Sequence, residues 1–561
     1  MTRFGLPMVL VGGCVATIAG CREPAATSGF ADPNDPVALS TGVEGTTLAT
    51  TSGGEATGTT AAASGGEATG TTAAASAGSS GGGAGSTTMS ASPCSSDQDC
   101  TDSPDGPVCD PATKTCTTPC QPGEQQPCYS GPEGTEGVGA CVAGVRTCGD
   151  DGLGFGACEG QVEPIPEVCG NAVDDDCDGE TDEDTDADGD GWGVCSGDCC
   201  DAQGGDCFDP QLVNPGAYEA AGNTVDDDCD GQVDEVSQSC DGGLASDSSD
   251  ALDFARALDL CQFTTESPQD PKDRTWGVIS AKFSLADGTG NPSALSRSIR
   301  PDFGDVIKPQ KSGRLAVLSS GHAAASGDTK PAFAAFESGV NHGIKSPPPQ
   351  DWYTKNGGTL PNPPGCKVPM VPSANDPIML TLRVRVPTNA KSFSAKMYFF
   401  SAEYPEFVCS QYNDFFVALV DSLAVGNPAD KNVAVFDDGK TKWPIGVNLV
   451  RVAQGLFSQC QGGTVGCQSG VPTSQYNGCK ATTELKGTGF DLNDASTCSQ
   501  GQTMAGGGTG WLTLRGNVAP GETMEIRFAV WDTGGHIFDS LVLLDAWEWS
   551  LDPAAPGVTP G

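Results

Sequence analysis

The stretch SFSAKMYFFSAEYPEFVCSQYNDFFVALVDS, Ser392 to Ser422, joins two apolar runs through a short acidic segment. Both runs are rich in aromatic and β-branched residues, so each predicts a β-strand. Similar runs bounded by Gly, Pro and Asn flank them: Arg274–Leu285, Gly313–Ser320, Ile378–Pro387, Gly510–Val518, Thr523–Trp531 and Ser540–Leu551. About 300 residues of this pattern predict a mainly β fold, a jelly-roll-like β-sandwich with long loops. A short amphipathic helix is expected just before it, within Ser248–Cys261.

Two segments of this region resemble the choice-of-anchor L domain: SAEYPEFVCSQYNDFFVALVDS (Ser401–Ser422) and FAVWDTGGHIFDSLVLLDAWEW (Phe528–Trp549). The resemblance covers residues 244–551. It implies a secreted or cell-surface β-sandwich and leaves the activity open. The matching positions are Glu403, Tyr404, Glu406, Asn413, Asp414, Asp532, Asp539 and Ser540.

Four of these acids raise the hypothesis of a metal site within the sandwich: Glu403, Asp414, Asp532 and Asp539. If they meet at one edge, they offer hard oxygen ligands. Alternatively, each caps a strand by accepting backbone amides. A glycosidase carboxylate pair is a third interpretation, but no catalytic motif accompanies it, so no enzyme and no catalytic residue is predicted. His322 and His342 lie in Gly- and Pro-rich loops and are expected to be ordinary surface residues.

The segment before the sandwich is strongly acidic. It holds 31 Asp and Glu residues and no Lys or Arg between Thr147 and Ala255, in a chain with a net charge of −44. Such a charge excludes nucleic acid as a partner and favours cations. Within the segment, NAVDDDCDGETDED (Asn171–Asp184) is nearly repeated as NTVDDDCDGQVDE (Asn223–Glu235), with DTDADGDGWG (Asp184–Gly193) between them.

The three stretches share the spacing DxDxDG, in which alternate carboxylates converge and the glycine permits a sharp turn. We therefore predict three calcium loops. The position where an EF-hand has its bidentate Glu is Thr185, Gly197 and Ser237, so the loops are not EF-hands. A solvated acidic linker is the alternative. The predicted ligands are Asp174, Asp176, Asp178, Asp182, Asp186, Asp188, Asp190, Asp226, Asp228, Asp230 and Asp234.

The loops resemble thrombospondin type-3 repeats, which wrap irregular backbone around calcium ions and disulfides. They also resemble a metal-binding motif of myxobacterial and other bacterial surface proteins, which is related to a copper-binding protein. Copper prefers His, Met or thiolate ligands, and this region contains no His. The expected ion is therefore calcium and not copper, and the metal-loaded segment is expected to be a stiff rod.

Twenty-six cysteines indicate disulfides outside the cytoplasm. Residues 93–165 are predicted to be a disulfide-stapled region and residues 166–240 the acidic repeats. If Cys14 is removed with a signal peptide and Cys21 is lipidated, the 17 cysteines from Cys94 to Cys240 leave one that must pair beyond them. Cys240–Cys261 is the shortest such bridge.

The N-terminus predicts export and lipid anchoring. Residues 1–20 are predicted to be a lipoprotein signal peptide, because they are apolar after Arg3. Ile18–Cys21, IAGC, resembles the lipobox of bacterial lipoproteins, which implies that Cys21 is the acylation (palmitate) site. Residues 21–92 are rich in Thr, Ser, Gly and Ala and predict a disordered tether. Residues 552–561 are expected to be a tail. The expected location is the outer membrane, exposed at the cell surface, with the lipid as the membrane contact.

Together these features predict a lipid-anchored, calcium-binding surface protein that presents its β-sandwich for adhesion or for recognition of a glycan or another surface protein. A purely structural surface or matrix component is the alternative, and a polysaccharide-acting enzyme is less favoured. An exposed aromatic strip near Trp531, Trp547 or Trp549 would favour glycan binding, and a deep acidic cleft would favour hydrolysis.

Overall fold

The computed structural model describes residues 93–561 except 111–113, 205–206, 237, 370–372, 469–472, 494–497, 499–502 and 505. The predicted signal peptide, the lipidation site Cys21 and the tether of residues 21–92 lie outside the described residues. Within the described part, no helix is long and apolar enough to cross a membrane.

Strands dominate the described residues, as predicted. The strands are β1 Val108–Asp110, β2 Thr115–Thr117, β3 Gln125–Cys128, β4 Gly144–Thr147, β5 Gly277–Ser284, β6 Arg297–Arg300, β7 Leu315–Ser319, β8 Lys345–Ser346, β9 Ala374–Arg385, β10 Ser392–Ser401, β11 Phe415–Asp421, β12 Val435–Asp437, β13 Lys442–Gly446, β14 Gly463–Val465, β15 Ser474–Tyr476, β16 Gly507–Gly508, β17 Leu512–Asn517, β18 Thr523–Thr533, β19 Ser540–Ser550 and β20 Gly557–Pro560. The α-helices are α1 Ala251–Ala257 and α2 Gln350–Lys355. Short 3-10 helices are Asp97–Cys100, Val194–Ser196, Pro210–Leu212, Pro271–Asp273, Ala294–Ser296, Val447–Arg451 and Thr483–Leu485.

Two antiparallel sheets form the sandwich. One has the strand order β20-β17-β10-β19-β7-β6, with β16 on β10, and the other has the order β12-β13-β11-β18-β9-β5, with β8 on β9. The long strands alternate between the sheets along the chain, with β9, β11 and β18 in one and β10, β17 and β19 in the other. This crossing pattern is that of a jelly-roll-like sandwich, so the predicted fold class is confirmed.

Both faces of each sheet are covered, which explains why the strands read as nearly continuous apolar runs. In β11, Phe416 and Ala418 face the core between the sheets, whereas Phe415 and Val417 face a second cluster with Trp352 of α2. In β10, Phe399 faces the central core, and its neighbours Tyr398 and Phe400 join a third cluster under the loops. Side chains alternate across a strand, so full burial on both sides requires loops and a helix outside the sheets.

The structure decides two points at the C-terminal end that the sequence raised, namely the conformation of the last ten residues and the exposure of three tryptophans. The predicted tail, residues 552–561, contains β20, which pairs with β17 and extends the sheet. Trp531, Trp547 and Trp549 form no exposed strip, because they are only 0%, 2% and 7% exposed. Trp531 packs beside Trp352 in one outer cluster, and Trp547 stacks on Phe393.

Twelve disulfides pair every cysteine from Cys94 to Cys498. The predicted bridge Cys240–Cys261 is one of them. Residues 93–165 contain two small hairpins, β1–β2 and β3–β4, held by bridges such as Cys100–Cys116 and Cys128–Cys158. With so little core, these crosslinks supply the stability of this region.

The acidic module, residues 166–240, docks onto the sandwich at the turn between β9 and β10. Asn389 donates to the carbonyl of Tyr218 (2.8 Å) and accepts from its N–H (2.9 Å). Thr388 donates from Oγ1 to Asn214 Oδ1 (2.7 Å) and from its N–H to the Gly216 carbonyl (3.0 Å). The described acidic module is therefore packed on the sandwich, where the sequence predicted a rod holding it at a distance.

The junction between the two parts contains three carboxylates, Asp241, Asp259 and Asp545. Asp545 lies on β19, is fully buried and accepts from the N–H groups of Gln310 and Ala546. Burial raises its pKa to about 7, and the neighbouring Asp259 and Asp241 add to the rise. The charged form of Asp545 is therefore disfavoured in the folded protein.

We predict that Asp545→Asn reduces the pH dependence of stability. A carboxyl group with a raised folded-state pKa contributes stability that is present below its ordinary pKa, near 4, and is lost as the pH rises through about 7. The wild-type advantage over the variant in unfolding free energy should therefore shrink between about pH 4 and pH 7 and then level off, with a slope of at most about 1.4 kcal/mol for each step of one in pH. Denaturant titrations across this range measure it.

Asp302→Asn is the control, because Asp302 forms an exposed ion pair with Lys308. Its curve should run parallel to that of the wild type. Parallel curves for wild type and Asp545→Asn would contradict the assignment of this pH dependence to Asp545.

Candidate metal centres

The two acidic repeats fold alike, with three non-glycine residues of left-handed backbone at equivalent positions in each. They are Ala172, Cys177 and Asp182 (φ 59°, 65° and 54°) and Thr224, Cys229 and Asp234 (φ 64°, 56° and 57°). Each such residue costs roughly 1–3 kcal/mol, so the surroundings must hold the conformation. The bridges Cys141–Cys177 and Cys199–Cys229 fix the middle of each loop.

A glutamate upstream of each repeat accepts hydrogen bonds from backbone N–H groups of the loop. Glu167 Oε1 accepts from the N–H groups of Asp175 (2.7 Å) and Asp176 (3.3 Å). Glu219 accepts from the N–H groups of Asp227 (2.9 Å) and Asp234 (2.7 Å). Neither glutamate was predicted from the sequence, although each stands at the same spacing before its repeat.

Two predicted ligands, Asp182 and Asp234, bond to backbone amides. Asp182 accepts from the N–H groups of Asn171 (3.0 Å) and Ala172 (2.9 Å). Asp234 accepts from Gly222 (2.5 Å) and Asn223 (3.0 Å) in the second copy. Both carboxylates thus hold the turn that precedes the loop, a role that the DxDxDG spacing does not reveal.

The first aspartate of every loop closes the turn onto the glycine at position six. Asp174, Asp186 and Asp226 each accept through Oδ2 from that glycine's N–H, at 3.1, 2.9 and 3.0 Å respectively. The glycines have φ values of 105°, 103° and 88° at Gly179, Gly191 and Gly231, which an L side chain rarely adopts. The predicted requirement for glycine is thereby explained.

Carboxylate oxygens converge in the first loop. Glu167, Asp174 and Asp176 bring one ligand atom each within 4.8 Å of one another, and so do Asp176, Asp178 and Glu183. Glu183 directly follows Asp182, so the position after the predicted ligand joins the cluster.

The second loop is arranged in the same way around Asp228. Burial raises the pKa of Asp228 to about 6, and the charges of Asp230 and Glu235 raise it further. Glu235 is the counterpart of Glu183. In both repeats, the acid that lies near the loop centre is therefore the residue after the predicted ligand, Asp182 or Asp234.

The third loop gains a carboxylate from outside its motif. Asp186 and Asp188 lie within 4.8 Å of Asp201, whose Oδ1 also accepts from the Ala187 N–H (2.7 Å). The predicted Asp190 accepts from Trp192 N–H (2.9 Å) and from the Asn214 amide. Asp201 was missed because its contribution depends on the fold of the following turn.

Several of these buried oxygens have no hydrogen-bond partner among the described residues. They are Glu167 Oε2, Asp174 Oδ1, both carboxylate oxygens of Glu183, Asp188 Oδ2, Asp228 Oδ1 and Glu235 Oε2. A buried, unpaired carboxylate oxygen is costly. A cation is the complementary partner for carboxylate oxygens arranged in this way. Hard oxygen donors of this kind suit calcium.

The predicted acids of the sandwich are brought together at one end, between the two sheets. Glu403 follows β10, Asp414 precedes β11, Asp532 lies near the end of β18 and Asp539 precedes β19. Each is at most 3% exposed. Serines connect them: Ser320 Oγ donates to Asp532 (2.7 Å), and Ser540 Oγ donates to Asp414 (2.7 Å).

These acids are electrostatically strained when no cation is bound. Burial raises the pKa of Asp414 to about 7. Burial also raises the pKa values of Glu403, Asp532 and Asp539 well above their usual range, and the charge of Asp414 raises each of them further. Four carboxyl groups thus share a site where they cannot all be charged without compensation.

All three histidines of the chain lie beside this cluster. His322 and His342 stack with ring centroids 5.7 Å apart, and His536 Nδ1 lies 3.1 Å from Asp376 Oδ2. His342 donates its N–H to the same Asp376 oxygen (3.2 Å). His322 and His342 are half-buried, and their stacking on each other was not predicted from the sequence.

Comparison with known families supports both parts of the chain. Residues 378–550 match the choice-of-anchor L domain. Residues 165–183 and 206–235 match a family described as "Putative metal-binding motif", whose name refers to copper. The third loop lies between these two matched segments. No curated protein and no solved structure matches the chain. The anchor domain, together with the disulfide-rich region, indicates an extracellular or cell-surface protein.

We predict that the third loop binds a divalent cation and that Asp201→Asn lowers this affinity at least tenfold, or about 1.4 kcal/mol. Asp201 supplies one of three converging carboxylates. Removing its charge weakens the attraction for a hard cation. Calorimetric titration of the full chain, with the disulfides intact, measures the change.

The matched control is Asp247→Asn, which removes the same charge from an exposed position outside the loops. It should leave the titration unchanged. Equal titrations for wild type and Asp201→Asn would show that Asp201 is no ligand.

Proposed function

We propose that this is a cell-surface protein whose acidic module binds calcium and whose β-sandwich is presented for adhesion or recognition. The proposal rests mainly on the buried carboxylate oxygens in the three loops that have no hydrogen-bond partner among the described residues. The segment from Thr147 to Ala255 contains no Lys or Arg to compensate them. Bound cations would turn this repulsion into crosslinks.

Calcium is the ion that the donor set favours. The converging atoms in the loops are carboxylate oxygens, which suit hard cations of flexible coordination. Copper would require imidazole, thioether or thiolate. The three histidines lie at the sandwich instead. A cluster of Asp198 with Cys199 and Cys229 adds sulfur to an acid of this region, but these two cysteines are bonded to each other.

Anchoring through an acylated Cys21 remains part of the proposal. It is supported by the IAGC motif, by the surface domain family and by the disulfides that require an oxidising compartment. Two lipid chains at Cys21 would hold the chain on the membrane without a spanning helix. An outer-membrane, surface-exposed position follows from this proposal.

The geometry narrows what the sandwich can recognise. Glycan stacking on Trp531, Trp547 and Trp549 loses its support, because these rings are buried in the core. Hydrolysis also loses support, because the four sandwich acids lie between the sheets and away from solvent. We therefore favour recognition of a protein surface, with a purely structural surface component as the second candidate and no enzymatic activity.

The test of the proposal is a calcium titration of the full, chelator-treated chain by calorimetry, with magnesium and copper as comparison ions. We expect saturable binding of about one calcium ion per acidic loop, with weaker magnesium binding. Binding should also raise the unfolding temperature, because the ions bind only the folded loops.

Absence of binding at millimolar calcium would reduce the acidic repeats to a solvated spacer. Copper that displaces calcium from the loops would contradict the assignment of the ion. Loss of one ion in Asp188→Asn, with no loss in Asp247→Asn, would place binding in the third loop.

A further inference from the structure

A second set of buried oxygens lies between the sheets, and it includes an amide that the sequence did not mark. Asn375 on β9 stands directly opposite Asp532 on β18, so the two side chains share a face. Asn375 is 3% exposed, and its Nδ2 donates to the Gly535 carbonyl (2.6 Å). Gly535 belongs to the loop that closes over the acids.

Hydrogen bonds place the acids from the two sheets beside one another. Ser540, at the start of β19, donates its N–H to Ser320 Oγ (3.0 Å) and its own Oγ to Asp414. Ser320 Oγ in turn donates to Asp532. Asp414 also accepts from the Thr533 N–H (3.0 Å). The chain of bonds thus runs from one sheet to the other and back.

Three members of the set keep one buried oxygen without a hydrogen bond to any described residue: Asn375 Oδ1, Glu403 Oε2 and Asp539 Oδ1. Asp414 accepts through both oxygens, and Asp532 shares a hydrogen bond with Asp414 when one of these two carboxyl groups is protonated. Within the described residues, none of the four carboxylates takes part in an ion pair, and His536 Nδ1 lies beside Asp376 Oδ2 (3.1 Å) instead. Among the described residues, the carboxylates therefore face one another without a positive partner.

The space around Asp539 is tightly defined. A Cβ added at Gly321 would overlap Asp539 Oδ2. The Val340 N–H also approaches this oxygen (3.3 Å). Asp539 is therefore held with its other oxygen, Oδ1, buried and without a hydrogen bond to the described residues. A site built in this way is preorganised for an ion and not for a mobile side chain.

We propose that Asn375, Glu403, Asp414, Asp532 and Asp539 bind one hard divalent cation, with calcium as the best match, between the two sheets of the sandwich. All five donors are oxygens, four of them from carboxylates, which is a ligand set for calcium. The ion would join strands of both sheets at the end where the closing loop, residues 533–539, meets the surface. This site is separate from the acidic loops and does not depend on the function proposed for them.

The test is Asp532→Asn in the full chain, which keeps the shape of the side chain and the acceptor for Ser320. Amide hydrogen exchange followed by mass spectrometry reports on Phe528–Ser550, a cysteine-free segment. In the wild type, calcium at 100 times its dissociation constant should slow the exchange of amides whose opening releases the ion by about 100-fold. Asp532→Asn should abolish this slowing.

In chelator, the variant should lose nothing relative to the wild type. With no ion bound, removing one charge relieves repulsion among the acids, so Asp532→Asn should exchange no faster than the wild type. A residue that only caps a strand would make the variant exchange faster in both conditions. That result would overturn the proposal, as would a wild type indifferent to millimolar calcium, magnesium and manganese.

Two controls separate the outcomes. Asp552→Asn, an exposed position near the same strand, should behave like the wild type. Gly321→Ala keeps every proposed ligand but displaces Asp539, so it should weaken the calcium response. Calcium binding by the acidic loops with no response in Phe528–Ser550 would reject this site alone, whereas the reverse result would reject only the calcium loops.

Discussion

Repulsion between closely spaced carboxylates is the constraint on which the rest of this structure depends. The chain carries 73 acidic and 29 basic residues, and it gathers acids where bases are absent. At 4 Å, two like charges repel by about 4 kcal/mol at an effective dielectric constant of 20. Such groups stay together only if the backbone, crosslinks or cations hold them.

The protein holds its two acidic regions by different means. In the acidic module, disulfides and backbone N–H groups shape the loops, because there is almost no apolar core. Glu167 and Glu219 accept hydrogen bonds from backbone N–H groups within each loop. Asp182 and Asp234 accept hydrogen bonds from the N–H groups that precede each loop. In the sandwich, two apolar sheets supply the stability, and their burial forces Glu403, Asp414, Asp532 and Asp539 into a dry space. The result in both regions is a set of fixed oxygen donors.

Local signals predicted much of the fold and part of the sites. Strand runs such as Ile378–Pro387 and Thr523–Trp531 became β9 and β18, because β-branched and aromatic residues pack well in sheets. The predicted helix became α1, shorter by several residues and capped by Asp250, whose side chain accepts from the Leu252 N–H (2.9 Å). The glycine of each DxDxDG loop has the backbone conformation that its spacing demanded.

The remaining features depend on contacts between distant segments. Asp201 reaches the third loop only after the chain turns back. Asn375 meets Asp532 across strands 157 positions apart, which no local pattern records. The sequence left open whether the tryptophans near the C-terminus are exposed, because a strand can have one open face. Clusters outside each sheet cover that face, and this covering cannot be read from alternation within a single strand.

Two side chains, Asn214 and Arg274, link the third loop of the acidic module to the sandwich. Asn214 donates to Asp190, a predicted ligand of that loop (2.6 Å), and accepts from Thr388 at the turn after β9 (2.7 Å). Beside it, Arg274 donates to the Gly191 carbonyl (3.1 Å) and lies over Trp192. An ion that orders Asp190 and Gly191 would therefore also fix the orientation of the sandwich relative to the loops. The other docking contacts, between Thr388 and Gly216 and between Asn389 and Tyr218, involve only uncharged groups, so they do not require the ion.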